Sequence, residues 1–181
     1  MRELSMHVLD IAQNCISAGA SVVDIEVSAD TVADTLSIVI TDNGCGMSED
    51  FVARVIDPFT TTRTTRRVGL GIPMFAEAAR ACGGDLTVES ALGTGTMVKA
   101  IFTLSHIDRV PIGDMAATVV SLVACNPEMD FRYSRKVDGE EFLLDTRDMR
   151  EQLGDVALDD PGVLSWMGEY IRSKSVRPEI D

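Results

Sequence analysis

The stretch Thr41-Asp42-Asn43-Gly44-Cys45-Gly46-Met47 constrains this chain more than any other. It follows Leu36-Ser37-Ile38-Val39-Ile40, a short run rich in β-branched residues that predicts a buried strand ending in an acid. An ionised aspartate at a strand mouth only accepts hydrogen bonds. The two glycines behind it, Gly44 and Gly46, allow positive φ and let a flat group come close to bare backbone. Together they suit a planar ring edge that carries an amino group. An isolated D-x-G-x-G is equally consistent with an Asn-Gly turn closing a hairpin, so other stretches must decide.

Four further stretches accompany it in a fixed order. Upstream lies Leu9-Asp10-Ile11-Ala12-Gln13-Asn14-Cys15-Ile16-Ser17-Ala18-Gly19-Ala20. Downstream lie Asp57-Pro58-Phe59-Thr60-Thr61-Thr62, then Gly69-Leu70-Gly71-Ile72-Pro73, then Gly93-Thr94-Gly95-Thr96. Taken jointly, they resemble the boxes of the GHKL ATPases, the superfamily of gyrase, heat-shock chaperone, histidine-kinase and mismatch-repair nucleotide-binding domains. The resemblance covers residues 3–104. The stretches 14–20 and 42–47 are most similar to the mismatch-repair branch, and 57–104 is most similar to sensor histidine kinases.

The resemblance implies ATP and Mg²⁺ as ligands and assigns roles residue by residue. Asp42 takes the adenine amino group. Gly44, Gly46 and Met47 shape the purine pocket with Thr96, whose hydroxyl shares the hydrogen-bond set of Asp42, and Phe59 also contacts the nucleotide. Asn14 supplies a side-chain oxygen to Mg²⁺. Arg63, Arg66 and Arg67, with the backbone of Gly69, Leu70 and Gly71, hold the phosphates. Asp10 falls where hydrolysing members carry a glutamate general base, and it is one methylene shorter in reach.

The residues themselves supply a reading beside the resemblance. Leu4, Val8, Ile11 and Cys15 recur as one helical face over 4–17, which places Asp10 and Asn14 on one side of that helix. Residues 21–28 alternate apolar and acidic side chains, and with 36–41 they predict a hairpin whose second strand delivers Asp42. A helix over 49–56 is expected behind Ser48, ended by Pro58. The stretch 60–68 holds five threonines and three arginines without apolar periodicity, and reads as a loop. Gly69 and Gly71 then lead into a helix with Pro73 in its first turn, a geometry that presents backbone N–H groups to phosphate. Strands at 85–89 and 96–104 are joined by the Gly93-Thr94-Gly95 turn. The expected fold class is α+β: a two-layer α/β sandwich of Bergerat type, one mixed sheet with helices on one face.

Composition narrows the partners. A formal net charge of −13 argues against a nucleic-acid or anionic-membrane surface, so a phosphate site must be local, as Arg63, Arg66 and Arg67 are. The four cysteines are scattered, without metal-ligand spacing to His7 or His106, which fits reduced thiols and a cytoplasmic setting. No apolar run approaches the roughly 20 residues of a membrane span. The histidines read as structural or surface groups.

The expected division is an ATP-binding domain over 1–106 and a small α+β appendage over 107–181, with a helix at 113–124, a hairpin turned at Asp138-Gly139, and helices near 146–153 and 160–174. The expected function is Mg·ATP binding with slow hydrolysis, as a nucleotide-dependent switch for a protein partner such as a redox enzyme or a signalling protein, with a homodimer as a further possibility. Two alternatives stay open. One is a protein kinase, either a histidine-kinase catalytic module or an anti-sigma-type serine kinase; the other is a non-catalytic ATP-binding interaction module.

Overall fold

The apolar stripe of Leu4, Val8, Ile11 and Cys15 is the buried face of α1 (Leu4–Ser17) in a computed structural model that describes residues 2–56 and 71–175. The first-turn N–H groups of this helix find partners far along the chain. Leu4 N–H donates to the Pro111 carbonyl at 3.0 Å and Ser5 N–H to the Ile112 carbonyl at 2.8 Å. Gly19 follows the helix with φ 76°.

Strands β1 (Val22–Asp30) and β2 (Thr35–Asp42) form the expected antiparallel hairpin, with Asp34 at φ 55° in its turn. Helix α2 (Glu49–Val55) comes next. Ser48 stands at its N-cap position, but its side chain makes no cap bond. The Ser48 carbonyl instead accepts from the Phe51 and Val52 N–H groups, and Glu49 and Asp50 place negative charge against the positive end of the helix. The described chain resumes at α3 (Gly71–Ala81), followed by β3 (Asp85–Ala91) and β4 (Gly95–Thr103).

Beyond residue 104 come α4 (Met115–Cys125), β5 (Asp130–Val137), β6 (Glu140–Asp145), α5 (Thr146–Leu153) and α6 (Pro161–Lys174). Aspartates start three of these elements as the capping chemistry predicts: Asp114, Asp145 and Asp160 each accept backbone N–H groups of the helix they precede. Asp138 and Gly139 both have positive φ, 49° and 89°, as a two-residue hairpin loop requires.

The strands make one six-stranded sheet in the order β3-β4-β2-β1-β5-β6. All pairs are antiparallel except β1 and β5, which run parallel from Val22 opposite Asp130 to Ala29 opposite Val137. The stretch expected as an appendage thus extends the same sheet. Alternate residues on one sheet face are buried, among them Val23, Ile25, Ile38, Ile40, Val98, Ala100, Phe102, Phe131 and Tyr133, and they share a single apolar cluster with the inward sides of α1, α3, α4 and α6. The other face is polar: Asp24 and Arg132 pair across it at 2.6 Å. The protein is therefore α+β, a mixed sheet with its core on the helical side. No helix among the described residues is long and apolar enough to cross a membrane.

Candidate nucleotide site

Asp42 is the last residue of β2, and the alternation that buries Ile38 and Ile40 carries it onto the helical face, where it is only 7% exposed. Its Oδ1 accepts the Gly44 N–H at 2.7 Å. The carboxylate is thereby held by the loop that follows it. Beside it on α1 lies the buried thiol of Cys15, whose pKa is raised by burial and by the charge and hydrogen bonding of Asp42, so the group stays protonated.

The loop after Asp42 is locked to the turn between β3 and β4. Gly46 has φ 66°, and a β-carbon there would stand 1.9 Å from the Ala91 carbonyl oxygen. Gly95 has φ 114°, and its β-carbon would stand 2.0 Å from the Asp42 carbonyl oxygen. Only glycine lets these two backbones meet. Between them the Gly93 N–H donates to the Cys45 carbonyl at 2.8 Å, and the Cys45 N–H donates to the Ala18 carbonyl at 3.0 Å. Gly44 lies tight against Ala18 as well. The three sequence stretches around Ala18, Asp42 and Gly95 thus converge on one spot.

Thr96 faces Asp42 directly across the β2–β4 ladder, so the two side chains adjoin. Met47 turns its N–H to the Ser90 Oγ at 2.8 Å. Two further contributors, Ser90 and Asn43, carry no assigned role in the sequence reading. Ser90 falls on the helical face because β3 continues two residues past its expected end at Glu89; the alternation Leu86, Val88, Ser90 carries that signal. Asn43 latches the loop, its Oδ1 accepting the Ser21 and Val22 N–H groups at 2.9 and 3.0 Å and its Nδ2 donating to the Ser21 Oγ at 2.8 Å.

A second group stands along α1. Asp10 and Asn14 are one turn apart, and the start of α3 comes against both: a β-carbon on Gly71 would stand 3.3 Å from the Asp10 Cβ and 3.7 Å from the Asn14 Nδ2. Asp10 is exposed and Asn14 half-buried, so both side chains reach the surface beside the first turn of α3. Phe59, Arg63, Arg66, Arg67, Gly69 and Leu70 lie outside the described residues.

This donor set fits a nucleotide with its metal. The buried carboxylate is an acceptor of the kind that a ring edge carrying an amino group needs, and the bare backbone of Gly44 and Gly46 follows it in the loop. Among the described residues no cluster of three or more acidic, histidine or cysteine side chains stands ready to hold a metal ion. Asn14 would be one ligand of a bound Mg²⁺, an ion that binds through few protein groups together with substrate phosphates and water.

A mixed sheet of this order, with helices on one face and glycine-lined loops at one end of its central strands, defines the Bergerat-type α+β nucleotide-binding class. The chain belongs to the histidine kinase-, DNA gyrase B- and HSP90-like ATPase family, which matches residues 2–106, and those residues are its ATP-binding domain. Among its relatives, a protein of Shewanella frigidimarina described as a sensor protein is 32% identical over 59% of this chain and 17% of its own length. Histidine protein kinase DivJ of Caulobacter vibrioides is 30% identical over 54% of this chain and 17% of its own length. The chain spans less than a fifth of these relatives. In fold it is similar to the Aquifex aeolicus MutL ATPase domain complexed with ADP, with a TM-score of 0.51 and 14% identity over 84% of this chain and 68% of that one. That coverage exceeds what residues 2–106 could supply, so the likeness of fold reaches into the strands and helices beyond them.

Proposed function

We propose that this chain binds Mg·ATP with adenine at Asp42 and turns it over slowly, reporting its nucleotide state to a protein partner. The observation that carries the reading is the placement of Asp42: a buried carboxylate, backed by Cys15, held by the Gly44 N–H and opposite Thr96 across the β2–β4 ladder, where the 43–47 loop meets the β3–β4 turn. An acceptor of this kind matches the adenine amino group, and Thr96 adjoins it. Asn14 holds the metal, which when bound supplies positive charge among the phosphates. Arg63, Arg66 and Arg67 take the phosphates together with the backbone of Gly69, Leu70 and Gly71.

Asp10 is assigned as general base, its carboxylate accepting the proton of the attacking water. It shares a helix side with Asn14 and lies beside Gly71, which supports the assignment. As an aspartate it is short for the task, and the expected turnover is correspondingly low. Binding and turnover measured on the same variants test this. Asp10→Asn should leave Mg·ATP affinity within a few-fold of wild type while turnover falls by roughly 10² to 10⁴; Asp10→Glu should keep or raise turnover. Equal single-turnover rates in wild type and both variants would remove Asp10 from the mechanism.

The relatives described as a sensor protein and a histidine protein kinase favour a second reading, transfer of the phosphoryl group to a histidine of a separate protein. Radiolabel from the γ-phosphate appearing on an added partner, in place of free phosphate, distinguishes it.

A further inference from the structure

The Ser90 hydroxyl is the junction of three contacts. Its Oγ accepts the Met47 N–H at 2.8 Å, and lies 2.8 Å from the Gly95 carbonyl oxygen and 3.0 Å from the Thr96 Oγ1. A serine hydroxyl has one proton to give and two lone pairs to accept with. The Met47 N–H occupies one lone pair. A hydroxyl and a carbonyl oxygen at 2.8 Å attract only with a proton between them, and the carbonyl has none to offer, so the Ser90 proton goes to Gly95. The remaining lone pair meets Thr96, which must donate. The proton of Thr96 is then turned toward Ser90, and what Thr96 offers any other neighbour is lone pairs alone.

Ser90, Thr96 and Asp42 occupy one row across β3, β4 and β2, with Ser90 opposite Thr96 and Thr96 opposite Asp42. We propose that Ser90 is a specificity-determining positioning residue: by fixing the direction of the Thr96 hydroxyl it makes this row acceptor-only, so the row takes a purine with an amino group at position 6 and turns away one with a carbonyl oxygen there. This rests on the placement of adenine at Asp42 in the proposed function. A 6-amino group brings two N–H donors to two acceptors. A 6-oxo purine sets a lone-pair oxygen against the same two acceptors. Without Ser90 the Thr96 hydroxyl is free to turn its proton toward the purine and donate to that oxygen.

The test compares Mg·ATP with Mg·ITP, which share sugar and triphosphate, in calorimetric titrations of the full chain. Wild type should prefer ATP by about tenfold or more, the cost of one mispaired, partly buried acceptor. In Ser90→Ala that ratio should fall by about three- to tenfold, and in Ser90→Thr, which keeps the hydroxyl, it should stay near wild type. A Ser90→Ala protein weakened equally for both nucleotides would mean that Ser90 only braces the loop, and the proposal would be overturned. Should Ser90→Ala fail to fold, Thr96→Val supplies the second arm: removing the lone pairs should weaken ATP more than ITP, and an unchanged ratio overturns the proposal. A wild type that binds ATP and ITP alike overturns it while leaving ATP binding intact; a wild type that binds neither overturns this proposal and the proposed function together.

Discussion

Gly71, the first residue of α3, lies so close to Asp10 on α1 that an added β-carbon would stand 3.3 Å from the Asp10 Cβ. The contact ties the candidate base to the helix start that faces the phosphates in the proposed function. Gly71→Ala does not require a left-handed backbone, so the chain should fold with a stability within about 1 kcal/mol of wild type. The methyl group should displace the Asp10 carboxylate by a few tenths of an ångström, and turnover should fall by about tenfold, because misplacement of a reacting group is costly in rate. Denaturant melts and steady-state hydrolysis check the two halves; unchanged turnover would detach the Asp10–Gly71 contact from the chemistry.

Strand β5 pairs with β1 along its whole length and sends Phe131 and Tyr133, both essentially fully buried, into the common core. A chain ending at residue 106 would lose those side chains, leave the β1 edge bare, and deprive Leu4 and Ser5 N–H of their partners at Pro111 and Ile112. The expected result is loss of cooperative unfolding or aggregation on expression. Phe131→Ala in the full chain should cost about 3–5 kcal/mol. A truncated chain that melts cooperatively near the full-length midpoint would make residues 1–106 an independent folding unit.

His7 is buried on α1, stacked on Phe75 of α3 with ring centroids 5.0 Å apart, and its Nδ1 has no hydrogen-bond partner among the described residues. Burial lowers its pKa below the ordinary 6.5. The folded chain therefore favours the neutral ring, while the unfolded chain takes up a proton near 6.5. The stability contributed by the neutral ring is complete above that pH and declines as pH falls below it, by at most about 1.4 kcal/mol per pH unit. Denaturant midpoints at about pH 7.5 and 5.5 should differ more for wild type than for His7→Phe, which has no proton to take up. Equal differences would show that protonation of His7 does not oppose the packing of α1 on α3.

Local patterns were legible where neighbours in sequence are neighbours in space. The helical stripe of α1, the β1–β2 hairpin and the Asp138-Gly139 turn follow from spacing and turn chemistry, and the structure carries each as read. The parallel pairing of β1 with β5 was not legible, because parallel strands need no local turn and their register is set by contacts about a hundred residues apart in the chain. At the site, Asp42, Gly44, Gly46, Gly71 and Thr96 could be singled out because they belong to glycine-marked stretches. Ser90 and Asn43 could not, since a serine at the end of a strand and an asparagine in a turn are ordinary there; their work appears only once the loops at residues 43–47 and 91–95 are seen against each other.

The central claim is that Asp42 receives the base of ATP, and calorimetric titration of Mg·ATP into wild type and Asp42→Asn tests it most directly. The amide replaces an ionised acceptor with a group that turns an N–H₂ toward the adenine amino group or toward the Gly44 N–H. Losing a hydrogen bond to a charged partner costs about 1.5–3 kcal/mol, so the account predicts an affinity lower by about 10- to 150-fold in a variant that still melts like wild type. An Asp42→Asn protein that is folded and binds Mg·ATP as tightly as wild type would contradict it.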